Sequence, residues 1–405
     1  MTSDWRLFCT VTLPLNALNI INTSSRTLLA VIGPVLAVEF ALSGSQLGFL
    51  GACMLVAYAL AQLPGGVALD RLGPRRVQAA LALTTAAGFA LFALADSLVG
   101  LAVARVIIGL GISAGLVAVI KGNAQWFSPA KVASMTGIAV AMGGLGSVIT
   151  TVPVEAVLPL IGWRGVSWVL CGLSVASAVW IFLAVPEKPG VARAGASAGD
   201  VAVMATIFRS PLFWRYGPAA AMLSSMNFTY LGLWAGPWLR DVAGYEGHAR
   251  ANTLLVYTIT MTIGALVVGT ASSRAKARGL PPALVIMVCT AGQIAAQVGL
   301  ALQPSGLGVV VLLWMLFALC AAGAAPGYVT VGQMFPPEQT GRVSTAVNTL
   351  TLGFAFVLQA AVGWILDLWP RTAAGGWDPM AYSTALALSV VLQLFIAAQL
   401  LRERR

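Results

Sequence analysis

The sequence falls into twelve long apolar stretches separated by charges, glycines and prolines, each near the roughly 20 residues an α-helix needs to cross a bilayer. They run approximately over 10–38, 46–68, 77–96, 99–126, 134–158, 164–185, 213–238, 251–272, 281–302, 306–334, 342–366 and 380–401. Repetition on that scale leaves few folds open. Composition points the same way: 59% of the 405 residues are hydrophobic and 9% are charged, against about 25% charged in a soluble domain. The sequence predicts an all-α polytopic membrane protein with twelve transmembrane helices and the lipid bilayer as its main solvent.

The net charge of +10 could suggest a nucleic-acid partner. The basic residues, however, are spread over many short loops and never build one long basic face, so nucleic acid is not an expected partner. Lys and Arg accumulate in short cytoplasmic loops. With the N-terminus in the cytoplasm, Arg164, Arg240, Arg250 and Arg371 fall outside and Arg26, Arg105 and Lys121 fall within spans; the other sixteen of the 23 Lys and Arg residues fall inside. Both termini are therefore expected in the cytoplasm and the chain in the inner (plasma) membrane.

The longest hydrophilic connection runs from Pro186 to about Ser210 and is rich in Gly, Ala and Ser. It predicts a cytoplasmic linker, 186–212, between an N-terminal bundle of six helices, 1–185, and a C-terminal one, 213–405. The linker is too short for a folded domain and no other loop is longer, so no soluble enzymatic domain is expected. Five cysteines, Cys9, Cys53, Cys171, Cys289 and Cys320, fall in or beside apolar stretches with neither metal-ligand spacing nor a secreted disulfide pattern, and read as packing residues. The N-terminus lacks a cleavable signal pattern, so the first run should be a retained helix.

Between the second and third stretches lies Gly65-Gly66-Val67-Ala68-Leu69-Asp70-Arg71-Leu72-Gly73-Pro74-Arg75-Arg76. A turn with three arginines and a carboxylate cannot sit in hydrocarbon. Part of it recurs about half a chain later: Gly269, Ser273 and Arg274 repeat Gly66, Asp70 and Arg71, with the acid lost. A second echo, Gln125-Trp126-Phe127-Ser128-Pro129 against Gln333-Met334-Phe335-Pro336-Pro337, has nearly the same offset. The turn resembles the G-x-x-x-D-R-x-G-R-R loop signature of the major facilitator superfamily, and two homologous halves are that superfamily's parallel-repeat plan. The resemblance implies that the third, sixth, ninth and twelfth helices, whose interiors carry no charge, face lipid. It also implies that the first, fourth, seventh and tenth line a central cavity. The turn would act as a conformational latch through Gly66, Asp70, Arg71, Gly73 and Arg75, with Asp70 pairing with a cationic group or helix N-terminus when the inside is closed.

Charges within spans are expensive and mark functional sites by default. Arg26 lies near the middle of the first span, and at helical spacing Asn19, Asn22, Thr23, Arg26, Ala30 and Gly33 share a face. Its guanidinium suits carboxylate, phosphate and similar oxyanions; its other reading is a helix-packing device. Several anion-transporting branches of the superfamily resemble Arg26, Pro34, Glu39, Ser43, Gln46 and Gly48 in this region. The match departs at Ser25, where those branches often carry an acid, and in the fourth span, which has none. Arg105-Val106-Ile107-Ile108-Gly109-Leu110-Gly111 is similar to the superfamily's R-x-x-x-G-x-G signature, which places its arginine near the cavity. Arg105 has an architectural reading beside the functional one, its glycines letting helices approach closely. Lys121 reads as snorkelling to the span's end. Glu155 is the acid that could lie within the membrane, and it is the candidate proton carrier, its alternative being an ion-pair partner at the outer interface.

In the second half Asn227, Tyr230, Trp234 and Trp238 share a face of the seventh span, and Asn348, Thr351 and Gln359 share one in the eleventh. Asn227 and Tyr230 are cavity candidates, Trp238 reads as an interface-belt residue, and Asn348 and Gln359 serve equally as interhelical glue. The candidate solute-binding set is thus Arg26, Asn19, Asn22, Arg105, Asn227, Tyr230, Asn348 and Gln359. Two arginines and at most one acid favour an anion over an organic cation, which needs carboxylates or an aromatic cage. The expectation is a monomeric secondary transporter of a small organic anion or polar metabolite, proton-coupled, with no cofactor, metal or enzymatic activity. The alternatives are an exporter of amphipathic, drug-like compounds and a non-transporting membrane sensor of the same fold. An enzyme fits least, because the sole histidine, His248, lies in an outer loop.

Overall fold

The computed structural model describes residues 3–187, 198–281, 283–336, 339–373 and 375–400. Part of the expected linker, including Lys188 and Arg193, and the C-terminal Arg402, Arg404 and Arg405 lie outside the described residues. Among the described residues there is no β-strand, only an isolated bridge between Arg371 and Trp377.

Among the described residues ten helices are long and apolar enough to cross a membrane; a shorter one, Ser134–Thr150, is also apolar, and a helical run over 211–241 supplies the remaining span. Counted by their breaks they are α1 (Asp4–Glu39), α2 (44–72), α3 (74–94), α4 (Leu98–Trp126), α5 (129–161), α6 (163–184), α7 (211–241), α8 (Gly247–Ala277), α9 (Leu284–Ala301), α10 (Leu307–Gly332), α11 (Thr340–Leu366) and α12 (Pro379–Leu400). A further short helix, Ala198–Arg209, occupies the stretch that composition marks as linker.

Two glycines set the breaks. Gly73 (φ 80°, ψ 163°) ends α2 and Gly162 (φ 65°, ψ 175°) ends α5, backbone conformations that side chains with a Cβ rarely adopt. Pro74 follows the first, where its fixed φ and missing N–H suit the first turn of α3. α5 is also interrupted at Thr151 (φ −88°, ψ −96°), two residues before Pro153, whose ring is incompatible with the preceding helical turn. α7 widens into a π-helical turn at Tyr230–Trp234.

The chain forms two compact units, one of residues 1–40 and 50–197, the other of 41–49 and 198–405. In the first unit the leading partner of α1 is α5, and in the second the leading partner of α7 is α11. The α1–α5 contact is a ladder of short polar side chains on glycine backbone. Ser24 donates to Gly146 O at 2.9 Å, Thr27 to Ser147 Oγ at 2.9 Å, Asn19 to Ala139 O at 3.3 Å, and Thr23 to Gly143 O. A Cβ at Gly143 would lie 2.6 Å from Asn19 Nδ2, and one at Gly146 would overlap Ile20 O and Thr23 Oγ1. The α7–α11 contact uses longer side chains. Ser225 donates to Thr351 O at 2.9 Å, Gln359 Nε2 to Phe228 O at 2.8 Å, and Trp234 Nε1 to Gln359 O at 3.1 Å.

The glycines after Arg105 serve close approach on two sides. A Cβ on Gly109 would overlap Met54 O of α2, and one on Gly111 would overlap Thr85 of α3. Gln78 of α3 is buried and donates to Leu15 O (3.1 Å) and Gly115 O (3.2 Å), tying α3 to α1 and α4.

Each unit closes one end with a carboxylate from the end of its first helix. In the first, Glu39 accepts from Trp163 Nε1 at 2.6 Å and from Arg164. In the second, Asp241 accepts from Arg240 Nε (2.6 Å), the Trp377 backbone N–H (3.1 Å) and the Tyr382 hydroxyl (2.8 Å). Also in the second unit, Asp367 accepts the backbone N–H groups of Gly44 (2.6 Å) and Ser45 (2.8 Å). Burial pushes the Asp367 carboxyl up, but hydrogen bonds from Ser45, Gly44 and Ser43 outweigh it and hold the group below the usual carboxylate range.

Candidate solute site

Over residues 11–34 of α1 the residues that stay half-exposed are Leu13, Ala17, Ile20, Thr23 and Arg26, while Asn16, Asn19, Asn22, Ser24, Ser25 and Thr27 are buried. Steps of three and four residues make the first set one narrow stripe along the helix. Arg26 closes the stripe, its guanidinium carbon 4.4 Å from the centroid of the Tyr58 ring on α2. A cation over an aromatic face is held electrostatically. Stacking covers one face of the guanidinium plane, whose N–H edge has the planar fork geometry that suits oxyanions.

The other candidates of the first unit sit elsewhere. Asn19 is engaged with Asn16 Oδ1 (3.0 Å) and with α5, and Asn22 is buried with its Nδ2 against Gly115 of α4. Arg105 is 1% exposed and donates to Leu50 O (3.3 Å) and Ser25 O (3.1 Å), so it bridges α4 to α2 and α1 through their carbonyls. Glu155 is half-buried in the first turn after the Thr151 break, its N–H on Thr151 O at 3.0 Å.

At the Gly65–Arg76 turn, Asp70 forms an ion pair with Lys121 of α4, which gives the lysine a partner where snorkelling was expected. Arg71 lines a shallow recess with Pro64, Val67, Ala68 and Leu72. Arg75 stacks on Phe182 (4.6 Å) and Arg76 is bidentate to Glu187 (2.8 and 3.1 Å). Gly66 has open space where a Cβ would project.

In the second unit Asn227 is buried and accepts from the Tyr257 hydroxyl at 3.0 Å. Tyr230 is buried within an aromatic cluster, 5.8 Å from Trp314 and 5.5 Å from Phe317. Gln359 is spent on the α7–α11 contact, and Asn348 is half-buried. Trp238 is no belt residue: it is 0% exposed, edge-on to Trp314 at 5.6 Å, because α7 is covered almost all round at that level. Tyr58 is the residue that sequence reasoning missed. No local pattern marks it, since its partner lies 32 positions away on another helix.

Twelve apolar helices in two units with matching first-to-fifth contacts define a polytopic membrane carrier. The chain belongs to the Major Facilitator Superfamily, whose profile matches residues 15–360, a family of transporters and not of enzymes. Among curated relatives it is 29% identical over 150 residues to the probable sulfoacetate transporter SauU of Cupriavidus necator, covering 37% of this chain and 35% of that one. It is 28% identical over 173 residues to the hexuronate transporter of Bacillus subtilis, covering 42% and 40%. It is 34% identical over 112 residues to the nitrate/nitrite transporter NrtP of Picosynechococcus, covering 28% and 21%. The matches thus span less than half the length of these relatives. Among solved structures, a bacterial homologue of the human lysosomal transporter Spinster, inward-facing and occupied, superposes with a TM-score of 0.78 at 17% identity over 96% of this chain and 95% of that one. The nucleoside transporter NupG does so with 0.77 at 15% over 97% and 99%. At these identities the likeness is one of fold.

Proposed function

We propose that the chain is a secondary active transporter that moves a small organic anion across the inner membrane by alternating access. The carrying observation is the half-exposed Arg26 guanidinium, stacked on Tyr58 at the end of the half-exposed stripe that runs from Leu13 along α1. A permanently charged, planar donor in an apolar span costs free energy to keep there, and an oxyanion ligand offsets that cost through paired hydrogen bonds. The relatives named for sulfoacetate, hexuronate and nitrate or nitrite, all anions, support this class.

In this reading two six-helix bundles, 1–185 and 213–405, are joined by 186–212, both termini are cytoplasmic, and the protein works as a monomer. Tyr58 flanks Arg26 in the binding set. Arg105 acts beneath it by fixing α1 at Ser25, directly before Arg26. Asp70 serves the inner latch through Lys121. Protons are the coupling ion and Glu155 their carrier. Glu155→Gln should then give solute uptake into proteoliposomes that no longer responds to a pH gradient; retained proton-driven uptake excludes Glu155.

The deciding experiment is a ligand-induced thermal shift on the purified protein and on Arg26→Ala, with sulfonates, hexuronates, nitrate, neutral sugars and organic cations. A ligand that binds the native state raises its apparent stability by mass action, about 2.7 kcal/mol at a hundredfold excess over Kd. Stabilisation by one anion class that disappears in Arg26→Ala is the expected result. Equal stabilisation of both proteins, or stabilisation by cations alone, overturns the anion reading.

A further inference from the structure

The second unit holds a cleft of about 380 Å³ where the end of α8, the start of α9 and the end of α10 meet, within the size range of small-ligand pockets. Its polar lining is Ser272, Ser273 and Lys276 from α8 with Thr330 and Gln333 from α10. Lys276 Nζ donates to Gln333 Oε1 at 2.9 Å, which fixes the ammonium at the cleft and leaves it two further N–H donors; the Gln333 amide keeps its own. Gly269 also lines the cleft, and a Cβ there would meet nothing within 4 Å.

The described segments that line this cleft carry basic and no acidic residues. Arg274, Lys276 and Arg278 lie within one turn and a half of helix, and no Asp or Glu occurs in residues 265–285 or 325–336. None of the three is ion-paired among the described residues. The corresponding turn of the first unit differs, since there Asp70 neutralises Lys121; Ser273 stands where Asp70 would be. The cleft is also walled by apolar groups, Val285 and the exposed Leu280 and Val329. Up the same helix, Leu266 (72% exposed) and Val267 (51% exposed) continue an apolar surface away from the charges. Cationic donors at one end and a bare apolar track at the other match an amphiphile that carries its negative charge in the headgroup.

We propose that this cleft binds a phosphate group, that of an anionic phospholipid, with Lys276 as the principal contact and Arg274 and Arg278 supplying the field. Basic pockets between membrane helices on the cytoplasmic side bind such headgroups, and each cation near an anionic surface adds to the attraction. This inference is independent of the solute proposed for Arg26.

The test is native mass spectrometry of the full chain released from detergent after incubation with phosphatidylglycerol or phosphatidylcholine, beside thermal shifts with inorganic phosphate. The phosphatidylglycerol adduct should exceed the phosphatidylcholine adduct about fivefold. Lys276→Gln should remove the excess, Lys276→Arg should restore it, and Lys131→Gln, at a cation already paired with Asp4, should leave it intact. Lipid preference insensitive to added phosphate identifies the lipid as the source. Stabilisation by phosphate alone, lost in Lys276→Gln, identifies a free phosphate compound and supports the same chemistry. Equal adducts of the two lipids without a phosphate effect, or an excess that survives in Lys276→Gln, overturns the site. If Lys276→Gln does not fold, Gln333→Leu, which releases the ammonium, replaces it with the same expected loss.

Discussion

The two units share a plan and differ in what fills it. Both pack their first helix on their fifth and both tie one end with a carboxylate from the end of that first helix. The first unit builds its centre from glycine, serine, threonine and asparagine and accommodates Arg26 and Arg105 within it. The second fills the equivalent space with Tyr230, Trp234, Trp238, Tyr257, Trp314 and Phe317, most of them ring against ring at 5.5–6.0 Å. In hydrocarbon, helices gain little from hiding apolar surface and rely on close backbone approach, interhelical hydrogen bonds and dispersion. The comparison teaches that these supports can replace one another: the first unit uses proximity and polar bonds, the second uses ring contacts. The polar solution also leaves carbonyls available for cations, as Ser25 O and Leu50 O are for Arg105.

The strongest way to break the comparison is Gly146→Val. Its branched side chain has no space against Ile20 O and Thr23, and overpacking on backbone cannot be relieved by a rotamer change. The expected result is loss of monodisperse protein in fluorescence-detected size exclusion; a folded variant with a normal melting temperature would show that α1 and α5 are not held by proximity. Next is Trp314→Ala, which should lower stability by about 3–5 kcal/mol through the cavity it leaves among four rings. A thermal shift of the detergent-solubilised protein reads it. An effect below about 1 kcal/mol would mean the ring cluster fills space without supporting the unit.

The smallest effect sharpens the comparison at the turn. Asp70→Asn removes a half-exposed ion pair worth about 0–1 kcal/mol, so its melting temperature should stay close to the parent's. Turnover should nevertheless fall if the Asp70–Lys121 pair serves the latch. Unchanged uptake rates in proteoliposomes would make the pair a structural neighbour only.

Much of the architecture was legible because the bilayer imposes it. Apolar length gave the spans, and Gly73 and Gly162 lie where charge and glycine mark the turns. The break at Thr151 and the helix Ala198–Arg209 were not legible: the first depends on how Pro153 meets the preceding turn, and the second, though apolar at Val203, Met204, Ile207 and Phe208, is too short to span a bilayer and follows a stretch rich in Gly, Ala and Ser. Within the site, Arg26 declared itself by its charge. Periodicity alone put Asn19 and Asn22 on its side of the helix, because a helical wheel gives direction but not the neighbours, and here α5 and α4 reach those residues. In the second unit polarity marked Asn227 and Gln359 correctly as unusual but could not tell a cavity from a helix contact; their partners, the Tyr257 hydroxyl and Phe228 O, are tertiary.

The unequal faces of α1 have a consequence for how such a carrier could change its cargo. Positions 19, 23, 24 and 27 are committed to α5 by hydrogen bonds, so most replacements there forfeit the fold before they alter recognition. Ala17 and Ile20 carry no such duty: both are half-exposed on the stripe that ends at Arg26. Laboratory selection for a new solute should therefore collect its substitutions at 17 and 20 while the α5-facing row stays unaltered, so that one helix divides into an adaptable edge and an invariant one.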